Sequence, residues 1–447
     1  MTTTLSRQAS SPPRPRPALS AGELAAATPK TRDRYIDFLR VASLAVVMLG
    51  HWLMAVVVWT DGRLQTSNVL EITPSARWLT WIFQVMPVFF IVGGFSNSAS
   101  LTAARRDGVT YGTWLGSRLR RLVRPVVAFA VVWTAVAAAM VAAGLNPRDL
   151  RAGSIAQPLW FLAVYVVVVA AAPAMVAAQR RWGWGITIAL GAAVLSIDVA
   201  RWAYGVPVVG WLNLGLVWLL AHQLGVAWRA GSVTTWSRAR LAVLAAAGMG
   251  TLVVLTSSFG YPGSMVGGLE AGKTNTFPPS FAIVALAVWQ FGAVLVLRPV
   301  VDRWLARPRA WAAVVAANGM AMTLFLWHLT ALVIVTAAVL PAGLLPSPEA
   351  GSAAWWAWRP VWVVLLVLAL VPLVALFARV EAAPVGRSAV TTWRAVGAAA
   401  AITVAMGLLA RRGFAVAAMP AGLPLVALGL LGAGWWLVGA KAVRPAR

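Results

Sequence analysis

Cysteine is absent from this 447-residue chain, and histidine occurs only three times. Without cysteine there can be no disulfide bond, no thiolate nucleophile and no zinc site built on thiolate ligands. Charged residues are also scarce at 11% of the chain, whereas soluble domains carry about 25%. Because charge is costly to bury in a bilayer, this deficit is typical of a membrane protein.

Long apolar runs occupy the chain from about residue 36 onward, and hydrophobic residues make up 60% of the sequence. Each run is long enough to cross about 30 Å of hydrocarbon as a helix. We place twelve segments near 36–58, 78–101, 123–144, 158–178, 184–200, 206–228, 240–257, 279–298, 311–340, 360–379, 394–410 and 419–440. The fifth is short and the last two are rich in Ala and Gly, so the sequence predicts an all-α transmembrane bundle of 10–12 helices.

The net charge of +25 comes from short basic clusters between apolar runs rather than from one continuous stripe. Such alternation follows the positive-inside rule and places both termini in the cytoplasm. The expected partners are therefore membrane lipids and not nucleic acid, and the expected location is the inner (plasma) membrane of a bacterium. Arg411 and Arg412 break the pattern, because this topology puts them outside.

Two regions lie outside the apolar runs. Residues 1–33 are rich in Pro, Ser, Ala and Arg without an apolar period, which predicts a disordered cytoplasmic tail. The longest outer loop, about 258–278, is rich in Gly and Pro and is expected to be irregular. It fits a lid or an acceptor-binding segment as well as it fits a plain connector.

The first segment carries three ionisable residues that are predicted to share one face. Arg40 and His51 are eleven residues apart, close to three whole helical turns and about 16 Å along the axis. Asp37 is three residues before Arg40, where an acid–base pair is favoured. An ionisable side chain deep in a membrane is a functional candidate, although His51 could also be a structural residue bonded to a neighbouring helix.

The other two histidines and one basic cluster are weaker candidates. His328 stands in an apolar stretch of the ninth segment and needs a polar partner, so the site and structural interpretations stay open. His222 is more typical of a structural residue. Arg121 and Arg124 form a two-fork cationic face suited to phosphate, but cytoplasmic arginines also anchor helices.

Six ordered motifs in residues 35–385 resemble those of acyltransferase family 3, a family of integral membrane acyltransferases. They are Asp37, Arg40 and His51; Phe89, Phe90, Gly94 and Phe95; Arg121, Arg124 and Pro125; PLWFL at 158–162; MTLFLWH at 322–328; and Glu381 with Pro384. The chain departs from the family pattern at Gly93, where serine is usual. The family core has ten helices, so the resemblance implies a core at 34–385 and an additional hairpin with a short tail at 386–447.

The resemblance implies transfer of an acyl group, often acetyl, from cytoplasmic acyl-CoA to a hydroxyl of a sugar, glycoconjugate or other small acceptor. His51 would be catalytic with support from Arg40 and Asp37, and Arg121 and Arg124 would bind the donor. His328, Trp160 and Glu381 are candidates for acceptor binding or support. No permanently bound cofactor and no metal are implied. A histidine base suits removal of a hydroxyl proton.

Two other functions compete with this interpretation. A twelve-helix secondary transporter would also place Arg and His inside a membrane, although the halves show no internal repeat of the kind common in transporters. A different class of membrane acyltransferase uses a buried His and Asn; Asn318 is present, but its spacing to any histidine is unremarkable. The residues alone leave both alternatives open.

Overall fold

A computed structural model describes residues 21–29, 32–60, 63–145, 155–267, 273–346, 348–382, 388–414 and 423–439. Most of the predicted tail and Pro384 lie outside these residues. The described helices are α1 (Ala21–Ala26), α2 (Arg34–Met54), α3 (Val69–Ile72), α4 (Thr80–Phe83), α5 (Met86–Arg106), α6 (Tyr111–Ala142), α7 (Leu159–Trp182), α8 (Trp184–Trp202), α9 (Asn213–Arg229), α10 (Arg238–Ser258), α11 (Phe281–Leu305), α12 (Pro308–Gly319), α13 (Ala321–Val339), α14 (Ala353–Ala382), α15 (Thr392–Arg412) and α16 (Leu425–Leu437).

Eleven helical stretches within the described residues are long and apolar enough to cross a membrane. They comprise α2, α6, α7, α8, α10, α11, α13, α14 and α15, together with Pro74–Arg106 and Pro207–Arg229, which begin as 3₁₀ turns before α4–α5 and α9. This confirms the predicted all-α bundle of 10–12 helices. The last predicted segment appears as the 13-residue α16, which is shorter than a span.

Several predicted segments differ from the helices in the structure. The first helix stops at Met54, because Ala55–Thr60 (β1) pairs antiparallel with Arg63–Asn68 (β2). The β-branched run after Met54 is as apolar as a helix continuation but pairs better as a strand. The helix of the third segment begins at Tyr111, so most of the loop expected at 102–122 is helical. The ninth segment is broken at Met320 into α12 and α13.

Glycines let two helices cross with their backbones in direct contact. A Cβ added to Gly94 of α5 would lie 1.9 Å from the His222 carbonyl oxygen of α9, and one added to Gly225 would lie 1.8 Å from the Ile91 carbonyl oxygen. Close backbone approach through small residues is a common way for membrane helices to pack. These two glycines therefore fix α5 against α9.

The predicted long loop is irregular in its described parts, residues 259–267 and 273–280. It is bonded to the helix ends beneath it. Gln84 donates to the Met265 carbonyl at 3.1 Å, and the Met265 amide donates to the Thr80 hydroxyl at 2.8 Å. Tyr261 donates to buried Asp198 at 3.0 Å. Burial and the neighbouring carboxylate raise the pKa of Tyr261, so the phenol stays protonated and keeps donating.

The C-terminal helices pack on the bundle. The buried side of α15 includes Ile402 and Met406. Buried Arg120 of α6 donates to the Val438 carbonyl, just after α16, and to the Ser388 carbonyl at 3.4 Å. Arg120 therefore ties both ends of the C-terminal helix pair to the core.

Candidate active site

Two histidines from distant parts of the chain meet inside the bundle. Nδ1 of His51 lies 2.8 Å from Nε2 of His328, and the ring planes differ by 8°. His51 stands in the last turn of α2, and His328 is on the third turn of α13. His328 is fully buried, whereas His51 is half-buried. The early end of α2 puts His51 nearer the end of its helix than the sequence predicted.

The surroundings of His328 determine which nitrogens carry protons when both rings are neutral. Nδ1 of His328 is 2.7 Å from the Phe325 carbonyl oxygen, and a carbonyl can only accept, so this nitrogen must donate. Nε2 of His328 then holds a lone pair and accepts from Nδ1–H of His51. Nε2 of His51 is left unprotonated, which is the form required of a general base.

Hydrogen bonds fix helix α13 both at its N-terminus and next to the histidine pair. The break at Met320 frees the first amides of the helix, and the Glu381 carboxylate accepts from the Met322 and Thr323 amides at 3.1 and 2.9 Å. An acid at a helix N-terminus is favourable. Trp52, next to His51, donates to the His328 carbonyl at 3.0 Å. Glu381 therefore supports the helix that carries His328.

A second polar group surrounds Arg40 near the start of α2. Its guanidinium donates to Asp37 at 3.2 Å, to Asn318 of α12 at 3.4 Å and to Ser96 of α5 at 3.1 Å. Asp37 is buried and also accepts from Arg32. Arg40 and His51 thus both face the α12–α13 unit, as expected for residues on one side of a helix.

Arginines on α6 extend this positive region. Arg121 is exposed and Arg124 is half-buried. Arg118, one turn before them, lies within electrostatic range of Arg40, Arg121 and Tyr165. Arg118 is repelled by the like charges of Arg40 and Arg121, and guanidinium groups are suited to binding phosphate oxygens.

The unusual Gly93 is explained by Tyr165 of α7. A Cβ added to Gly93 would lie 3.0 Å from Cε2 of Tyr165 and 3.5 Å from its hydroxyl oxygen. The tyrosine ring fills the space that a larger residue at 93 would need. A hydroxyl is therefore present beside this position, but α7 supplies it and α5 does not.

Among the described residues, the ring contacts of Trp160 are with other aromatic side chains and not with the histidine pair. It packs edge-on against Phe277 of the long loop, with ring centroids 4.8 Å apart. Its neighbour Phe161 contacts Phe325, whose ring centroid is 6.1 Å from that of His328. Trp160 is thus connected to the site through other aromatic rings.

His222 belongs to a separate buried group. Its Nε2 is 3.3 Å from the side-chain nitrogen of Asn97, and both residues are fully buried. The backbone contact at Gly94 leaves little room beside it, which agrees with a structural role. Asn318 contacts Arg40 and the Asp37 carbonyl instead of a histidine.

The sequence did not identify several residues of the site as partners. Asn318 and Ser96 bind Arg40 from helices that are distant in sequence, and Tyr165 approaches Gly93 in the same way. Only Arg118 had a local signal, since it precedes Arg121 by three residues in the same basic run. Among the described residues, no three His, Cys, Asp or Glu side chains are grouped as a metal site would require.

A family model for the acyltransferase domain of acyltransferase family 3 matches residues 33–378. This stretch is well over half of the chain and includes both the His51–His328 pair and the Arg40 group. No curated protein and no solved structure matches the chain. The chain therefore belongs to acyltransferase family 3 and is a multi-pass membrane acyltransferase.

Proposed function

We propose that this protein transfers an acyl group, most simply acetyl, from acyl-CoA to a hydroxyl of a glycan, glycolipid or other small acceptor, with His51 as the general base. The observation that carries the proposal is the bonded series His51–His328–Phe325 carbonyl, with distances of 2.8 and 2.7 Å. It leaves Nε2 of His51 free to accept a proton. A second bonded group that fixes the tautomer of a catalytic histidine is a general feature of such bases.

His51 alone can carry the proton through both steps of the proposed reaction. Nε2 takes the proton of the acceptor hydroxyl while the oxygen attacks the thioester carbonyl. The C–S bond then breaks, and the departing thiolate takes the proton back from His51. The products are an O-acyl ester and free CoA. His328 keeps Nδ1 of His51 paired throughout and so stabilises the imidazolium that forms between the two steps.

The donor would enter from the Arg40 end of the bundle. Arg118, Arg121 and Arg124 offer several guanidinium groups on one helix, and such groups bind phosphate oxygens in pairs. CoA has phosphates at one end and a thioester at the other. Under the predicted topology this end faces the cytoplasm, where acyl-CoA is found, and His51 lies about three turns deeper along α2. The likeness to a transporter rests only on helix number and intramembrane charge.

Reconstitution of the purified full-length protein tests the proposal. The protein is placed in nanodiscs with acetyl-CoA labelled in the acetyl group, and extracts of bacterial glycans and glycolipids are offered as acceptors. We expect acceptor-dependent release of CoA thiol, with the label in an alkali-labile ester. A transporter would instead move an acceptor across vesicles in the absence of acyl-CoA. Flux without any thiol release would contradict the proposal.

A further inference from the structure

Arg359 is a buried cation in a membrane-spanning helix. It lies six residues inside α14 and is 8% exposed. None of the acidic side chains in the described part of the chain forms an ion pair with it. A buried charge without a counter-charge is strongly unfavourable, so the cation requires an explanation.

The neighbours of Arg359 satisfy only part of its guanidinium. Nη2 donates to the Ala55 carbonyl at 3.0 Å, while buried Nε has no partner. Nη1 makes no hydrogen bond to any described residue. The ring centroid of Trp355 lies 3.3 Å from the guanidinium carbon of Arg359, and that of Trp362 lies 5.9 Å from it. The guanidinium group has five N–H donors in a planar fork, and the Ala55 carbonyl accepts from one of them.

The position of this cation relative to His51 is set by Ala55. The Ala55 amide donates to the His51 carbonyl as the cap of α2, and the Ala55 carbonyl accepts from Arg359. This cap hydrogen bond spans about one helical turn along the axis. Arg359 therefore contacts the chain about one turn beyond His51, at the end of α2 away from Arg40.

We propose that Arg359 binds an anionic group of the acyl acceptor, a carboxylate or a phosphate, and that the acceptors are acidic sugars or sugar phosphates. This inference rests on the proposed function. A carboxylate or phosphate supplies the missing counter-charge and can engage the fork through two parallel hydrogen bonds. Trp355 and Trp362 add aromatic faces beside the charge. The donor arginines lie beyond His51 on the other side, so the two substrates would approach the base from opposite directions.

The experiment compares matched acceptors. Full-length protein in phosphatidylcholine nanodiscs is assayed for acetyl transfer to methyl glucoside, methyl glucuronide and glucose 1-phosphate. The variants are Arg359→Gln, Arg359→Lys and, as a control on the same helix, exposed Arg379→Gln. We expect wild type to prefer one or both acidic sugars over methyl glucoside. In Arg359→Gln the KM for the preferred acidic sugar should rise on the order of 10- to 100-fold, with the KM for acetyl-CoA unchanged.

Arg359→Lys keeps the charge but loses the fork, so its KM should fall between those of wild type and Arg359→Gln. Arg379→Gln should behave as wild type. Preference for methyl glucuronide alone identifies a carboxylate, and preference for glucose 1-phosphate alone identifies a phosphate. Equal use of neutral and acidic sugars by wild type, or no transfer to either acidic sugar, would overturn the inference. An equal loss on all three sugars in Arg359→Gln would also overturn it, because a helix anchor would behave in that way.

A lipid headgroup with net negative charge is the remaining source of an anion. If Arg359 held such a headgroup, wild-type activity on all three sugars would depend on added phosphatidylglycerol and the acid-to-neutral ratio would not change in Arg359→Gln. That result overturns the assignment to the acceptor. If the proposed function itself were wrong, the result would differ from all of these, because the wild type would not consume acetyl-CoA with any acceptor.

Discussion

Nδ1 of His51 lies 2.8 Å from Nε2 of His328, and this contact joins the last turn of α2 to the middle of α13. Because His328 must donate through Nδ1 to the Phe325 carbonyl, it presents a lone pair to His51. The hydrogen bond between the two rings therefore has a fixed direction, with His51 as the donor and His328 as the acceptor. His328 orients and His51 reacts, so the two histidines should respond differently to substitution.

Replacement of His328 tests the orienting role. His328→Ala should lower kcat roughly 10- to 100-fold, by analogy with the loss of residues that orient metal ligands, and leave the KM for acyl-CoA unchanged. His328→Gln keeps an oxygen that can accept from His51 and should retain more activity than His328→Ala. Steady-state kinetics at saturating acceptor measure both. Equal loss in the two variants would show that accepting a hydrogen bond is not the function of His328.

Glu381 is expected to act through the stability of α13. Glu381→Gln removes the negative charge from the helix N-terminus and weakens the contacts to the Met322 and Thr323 amides, which should destabilise the protein by about 1 kcal/mol. Thermal unfolding in detergent measures the change. Glu349→Gln is a control, because Glu349 precedes α14 outside a helix. An unchanged unfolding midpoint together with lost activity would instead indicate a direct role for Glu381 in the reaction.

The donor site is tested by removing arginine charge from α6. Arg121→Gln and Arg124→Gln should each raise the KM for acyl-CoA on the order of 10-fold, since a hydrogen bond to a charged group contributes about 1.5–3 kcal/mol. The KM for the acceptor should stay the same. Arg238→Gln, an exposed arginine at the start of α10, is the matched control. If the α6 variants change only expression or topology, these arginines anchor the helix.

Sequence periodicity could predict the relative placement of those residues of the candidate site that lie on one helix. The spacing of Asp37, Arg40 and His51 is enough to place them on one face, and the structure puts Arg40 and His51 against α12–α13. The contact between His51 and His328 could not be predicted in this way. It depends on the break at Met320, which sets the rotation of α13, and periodicity within one helix does not predict the rotation of the next.

Two other features show why helix ends limit such predictions. The apolar run after Met54 fits a helix or a strand equally well, so the strand β1 was missed. Helix α14 was predicted to begin at residue 360 but begins at Ala353. Arg359 therefore appeared to precede the membrane segment, whereas it lies inside the helix. Because the start of α14 was placed seven residues too late, the burial of Arg359 was not predicted.

The crossing of α5 and α9 predicts a strong asymmetry between glycines. Gly94→Ala forces a Cβ to within 1.9 Å of a backbone oxygen, so the helices must separate and stability should fall by at least about 2 kcal/mol. Gly250→Ala, in α10 with no neighbour within 4 Å, should be neutral or slightly stabilising. Thermal unfolding of the two variants measures the difference. Equal effects would mean that α5 and α9 do not touch through these residues.

The central claim is that His51 is the base, and transfer of labelled acetyl by His51→Ala tests it most directly. The variant is compared with wild type at equal folded amounts, judged by size-exclusion profile and unfolding midpoint. We expect ester formation to fall on the order of 10²- to 10⁴-fold while acyl-CoA still binds. Ester formation at the wild-type rate by folded His51→Ala would contradict the account.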